Sequence, residues 1–82
     1  MTLTANETAV ILAIAFNYFS NEPGAEVWVD CINESSKPSG VTGKALSGVI
    51  ASLVKKGLVW TSGDTLRLTK EGIALIPATT AA

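Results

Sequence analysis

"SGVTGKALSGVIASLVKKGLV", residues 39–59, opens on glycines and hydroxyl residues, turns into a periodic apolar segment, and closes on two lysines, a glycine and two more apolar residues. Leu46, Val49, Ile50 and Leu53 fall at i, i+3, i+4 and i+7, the spacing of one buried helix face. Thr42 is a good N-cap, and Val41 with Leu46 can form a hydrophobic staple across it. Gly57 stands where a helix ends in a left-handed residue, with Leu58 placed to fold back on the last turn. The stretch predicts a helix over 42–56 whose outward stripe is Lys44, Ser47, Gly48, Ala51 and Lys55. A glycine inside a helix costs roughly 1 kcal/mol relative to alanine, and no local rule asks for one at 48. Either another molecule approaches there closely, or Gly48 packs against another helix such as the first. Lys55 and Lys56 also have two readings: they complement the negative end of the helix dipole, or they contact phosphate.

Working outward, Leu58–Thr61 and Thr65–Thr69 are two short β-prone runs around Ser62-Gly63-Asp64, which predicts a hairpin. Leu66 and Leu68 point one way in it, and Thr65, Arg67 and Thr69 the other. A short helix over 70–76 follows, with Thr69 as its cap and Pro77 as its stop, and residues 77–82 read as a frayed tail. Upstream, Thr4-Ala5-Asn6-Glu7 has the form of a capping box and opens a helix expected to run to about Ser20. Val10, Ile11 and Ile14 form one apolar face of that helix. Leu12, Phe16 and Phe19 form a second, well around the cylinder, which is expected to be covered by another copy in a homodimer. After the break at Asn21-Glu22-Pro23-Gly24, Val27, Trp28, Cys31 and Ile32 suggest a second helix over 25–35, with Glu26, Asp30 and Glu34 on its other side. Those acids read as a solvated face or as a surface for a basic protein.

The whole is one small domain, residues 1–82 with its core in about 3–76. Apolar residues make up 48% and charged residues 16%, a composition that folds. The longest apolar run, Ala9 to Phe16, is too short for a bilayer span, which takes about 20 residues. No basic n-region opens the chain, so a cytoplasmic protein with no membrane partner is expected. There is no histidine, and Cys31 is the only cysteine. The commonest general base and every Ser-His or Cys-His nucleophile pair are therefore excluded. No enzyme, metal site or cofactor is expected, and Cys31 reads as a structural thiol.

Net charge is −1, but its distribution is uneven. Residues 1–36 carry five acids and no base; residues 37–82 carry all six bases, Lys37, Lys44, Lys55, Lys56, Arg67 and Lys70, against Asp64 and Glu71. Such asymmetry fits binding to a polyanion, or ordinary surface solubility. Two phosphate-binding motifs fail. Gly43-Lys44-Ala45 lacks the hydroxyl of a P-loop, with Pro38 where that loop needs glycine. Gly40-Val41-Thr42-Gly43 matches the G-x-x-G of RNA-binding KH domains, but that domain has a strand before its first helix and three strands in all, where a helical start and two strands are read here.

The expected order is helix, helix, helix, hairpin, short helix: a mainly α fold with a small β-hairpin. "VTGKALSGVIASLVKKGLV", then a hairpin, then "LTKEG" resembles the recognition-helix-and-wing segment of MarR-type and related phage or mobile-element regulators, and "LTANETAVILAI" is similar to their first helix. The resemblance covers about residues 3–76 and implies a winged helix-turn-helix with three helices, a two-stranded wing over 58–69 and a short C-terminal helix. It also implies a small transcriptional regulator bound to double-stranded DNA, with helix 42–56 in the major groove. Lys44 would then reach guanine or phosphate, Ser47 a base edge, and Thr42 a phosphate. Gly48 would let the backbone approach the bases, and Lys37 and Arg67 would touch the backbone from the turn and the wing. The chain departs from that pattern in a longer turn rich in serine and glycine, in Asp64 near the wing tip, and in a single base, Lys44, on the early exposed face of the helix. These departures suit the alternative, a protein-interaction module docking through the acidic 25–35 segment or the Leu12/Phe16/Phe19 face.

Overall fold

The computed structural model of the protein describes residues 3–20 and 22–76. The frayed tail expected at 77–82, and the stop expected at Pro77, lie outside the described residues. The elements run α1 (Ala5–Ala15), β1 (Val27–Trp28), a 3-10 turn (Val29–Cys31), α2 (Gly43–Lys55), β2 (Val59–Ser62), β3 (Thr65–Leu68) and α3 (Lys70–Ala74). The three strands form one antiparallel sheet in the order β1-β3-β2. Its inner face, Val27, Val59, Leu66 and Leu68, joins Val10, Ile11 and Ile14 of α1 and Leu46 and Leu53 of α2 in one core.

The mainly α winged helix-turn-helix with three helices and a two-stranded wing is therefore corrected. The segment expected as a second helix, 25–35, contains no α-helix. It supplies a third strand and a 3-10 turn. Val27-Trp28-Val29 is β-branched and aromatic, which suits a pleated half-buried surface better than a helix. Val27 is buried and Trp28 exposed, the two-residue alternation of a strand, and they pair with Leu66 and Thr65 of β3. The stripe of Val27, Trp28, Cys31 and Ile32 has helical spacing, but the free edge of β3 takes Val27-Trp28 as a strand.

The first helix stops at Ala15, short of Ser20. Asn17 ends it. Its buried side chain donates to the carbonyls of Cys31 (2.8 Å) and Ile32 (3.4 Å) and accepts from the Phe19 amide at 2.9 Å. Asparagine competes for backbone groups in this way and disfavours helix continuation.

The C-terminal end of α2 closes as expected. Gly57 has φ +76°, the Leu58 amide donates to the Leu53 carbonyl, and the Gly57 amide to the Val54 carbonyl, both at 3.0 Å, the paired bonds of a glycine-terminated helix. The turn is then latched by the chain beyond the hairpin. The Thr69 hydroxyl donates to the Gly57 carbonyl (2.6 Å) and accepts from the Gly72 amide (3.2 Å), while the Thr69 amide donates to the Leu58 carbonyl (3.0 Å). A Cβ on Gly72 would lie 2.2 Å from the Leu58 carbonyl oxygen, so only glycine admits this approach.

Candidate nucleic-acid interface

The 13 residues of α2 contain no acidic side chain. Lys44, Ser47, Gly48, Ala51 and Lys55 are all exposed, as the helical period requires of the face opposite Leu46 and Leu53. Nothing lies within 4 Å of the position a Gly48 Cβ would take, so close packing against α1 does not explain this glycine. Thr42 is the N-cap, but its side chain makes no capping bond. Thr42, Lys44 and Ser47 line one open cleft of about 570 Å³ together with Val29, Asp30 and Asn33. Gly48 lies on the other flank, in a groove with Thr4, Glu7 and Ser52.

The loop into α2 is set by Asn33. Its amide donates to the Val41 carbonyl (3.0 Å), its carbonyl accepts from the Ser39 amide (2.8 Å), and the Ser39 hydroxyl accepts from the Val41 amide (3.1 Å). The serine-rich turn is thereby held by side chains, which hydroxyl and amide residues do readily in loops.

The far end of α2 is tied to α1 by Glu7, whose side chain is nearly fully buried. One carboxylate oxygen accepts from the Thr4 amide and from Lys56 Nζ, each at 2.8 Å; the other accepts from the Ser52 hydroxyl at 2.6 Å. The hydrogen bond from Lys56, then those from Ser52 and the Thr4 amide, hold the Glu7 carboxyl at about 2, against the upward push of burial. Lys56 is thus engaged within the fold, whereas Lys55 stays exposed on the outward face. The capping box at Thr4–Glu7 is present as the sequence indicates. The reach of its glutamate to α2 carries no local signal.

The remaining expected contacts do not join this face. Lys37 lies with Nζ 5.7 Å from the centre of the Phe16 ring. Arg67 alternates to the outer side of the sheet, its Cζ 4.6 Å from the centre of the Trp60 ring. Nor do Leu12, Phe16 and Phe19 form one helix face: Leu12 is half-buried, Phe16 is the C-cap, and Phe19 sits beyond the helix, exposed. Cys31 closes the 3-10 turn half-buried, and the Glu34 carboxylate beside it pushes its thiol up.

Among the described residues no group of His, Cys, Asp and Glu could hold a metal ion, and no helix is long and apolar enough to cross a membrane. No family model, curated protein or solved structure matches the chain.

Proposed function

We propose that the protein binds double-stranded DNA through the outward strip of α2 and acts as a small transcriptional regulator. The observation that carries this reading is the strip itself: small and basic side chains, no acid on the helix, and a mid-helix glycine facing open space. A surface with so little side-chain bulk lets a helix backbone come close to base edges in a major groove. Lys44 and Ser47 are the residues placed to contact bases or phosphate, and Thr42 with the first amides of α2 is placed for a phosphate. Lys55 adds charge along the same strip. Lys37 and Arg67 belong to other surfaces and are left out of the contact set. A cytoplasmic location goes with this reading.

The test is fluorescence anisotropy of a labelled random-sequence duplex at several salt concentrations. Binding should weaken with salt at a log–log slope of about −0.9 per phosphate contact, and Lys44→Ala should lower affinity and flatten the slope by about one contact without unfolding the domain.

A second reading, a module that docks on another protein, is favoured by one observation. The bases are dispersed onto separate surfaces, and Asp30 shares the cleft of Lys44. Absence of duplex binding at low salt would make it the leading one.

A further inference from the structure

Among the described residues the outer face of the sheet stays largely open, bordered near Trp60 and Arg67 by Gly24 and Ile73. Trp28 is 58% exposed and Trp60 43%, and both stand on strands whose inward neighbours, Val27 and Val59, are buried. Trp60 pairs across β2 and β3 with Arg67. One step beyond the Val27–Leu66 pair, the register sets Glu26 beside Arg67 on the other side of β3. Among the described residues no carboxylate lies within ion-pair distance of Arg67; its guanidinium rests on the Trp60 ring, and Glu26 accepts from the Thr65 hydroxyl instead. Two large indoles and an arginine on one rigid face are the residue types that dominate protein–protein contacts.

We propose that this face is a self-association surface on which a second copy of the chain seats, with Glu26 of each copy against Arg67 of the other. The register produces the pairing. A two-fold axis parallel to the strands, midway between β1 and β3, lays β1 of one copy over β3 of the other. Glu26 and Arg67 are neighbours across those two strands, so the rotation brings each over its opposite charge twice. Facing sheets pack about 10 Å apart, a gap that indole, arginine and glutamate side chains fill. A polyanion or an acidic peptide drawn to Arg67 would meet Glu26 beside it at the β1 edge, whereas a second copy satisfies both charges. Trp28, inside the overlap of β1 and β3, offers roughly 100 Å² per copy at its observed exposure, with Trp60 at the rim, against the ~800 Å² per partner of a standard interface. The dimer is accordingly a weak one, populated at high protein concentration. It is independent of the DNA reading.

Sedimentation velocity of the full chain, from low micromolar to near-millimolar concentration, tests it. Wild type should pass from monomer to dimer. Glu26→Arg and Arg67→Glu, each confirmed as folded by circular dichroism, should each lose association at least tenfold. An equimolar mixture of the two variants should regain it, because the mixed dimer alone pairs opposite charges at both contacts. Trp28→Thr, which keeps a strand-forming residue, should also stay monomeric. Wild type that remains monomeric throughout overturns the proposal. So do single variants that associate like wild type, a mixture that fails to recover, or an association abolished by Phe19→Ser but not by the sheet-face variants.

Discussion

Ser52 of α2 donates a 2.6 Å hydrogen bond to Glu7 of α1, the same carboxylate that receives Lys56 and closes the capping box at Thr4. One buried side chain thus starts the first helix and fixes the second against it. Both oxygens are hydrogen-bonded and one meets a cation, which is the condition under which a buried charge is tolerated.

Removing the two partners should not cost the same. Glu7→Gln removes the buried charge while Lys56, whose side chain is 30% exposed, keeps access to water, and should destabilise the protein by about 1–3 kcal/mol. Lys56→Met leaves the carboxylate buried without its cation, and should cost more, about 3–5 kcal/mol. Urea titrations of both variants give the order; a larger loss for Glu7→Gln would mean that Lys56 matters mainly through its stem.

The same group sets an acid limit. Its carboxyl ionises at about 2 in the folded chain, against 4.5 for an ordinary glutamate. The unfolded chain therefore takes up a proton first as pH falls. The contribution of Glu7 is complete above 4.5 and drains away between 4.5 and about 2. Thermal midpoints across that window should fall in wild type and fall less in Glu7→Gln.

Gly72→Ala should be among the most damaging single-methyl changes in the chain. The added carbon meets the Leu58 carbonyl at 2.2 Å, and neither backbone segment can retreat without opening the Thr69 latch. A loss of about 1–3 kcal/mol or more is expected in chemical denaturation. Alanine at 72 with unchanged stability would show that α3 does not seat on this turn.

Gly48→Ala should do the reverse to stability. The site is helical, exposed and empty around the new carbon, so a gain of about 0.5–1 kcal/mol is expected. If the strip approaches bases at Gly48, the same variant should bind duplex DNA more weakly. A more stable protein with unaltered affinity would move the contact toward Lys44 and Ser47 alone.

The sequence showed best what is local. The limits of α2, its glycine stop, the hairpin and the cap at Thr69 each depend on residues within a turn or two of one another, and each formed within a residue of its expected place, the hairpin as two strands of a three-stranded sheet rather than as a two-stranded wing. The stretch 25–35 reads as a helix from sequence because a two-residue strand has too few positions to display its period. What makes Val27-Trp28 a strand is Leu66, far along the chain. Asn17 shortened α1 for the same reason, since its acceptors at Cys31 and Ile32 are distant. At the candidate interface, Thr42, Lys44 and Ser47 could be grouped from helical spacing. The placing of Lys37 could not, because it is drawn to the Phe16 ring, which sequence spacing does not bring near it, while Arg67 follows from the hairpin, whose register sets it across from Trp60.

The mooring of α2 has a kinetic consequence. Asn33 fixes the loop that leads into it, and Glu7 grips it through Ser52 and Lys56. Whatever meets the strip finds α2 and the loop into it already shaped. Capture should then be governed by encounter and charge, and targets should be told apart by how long they stay.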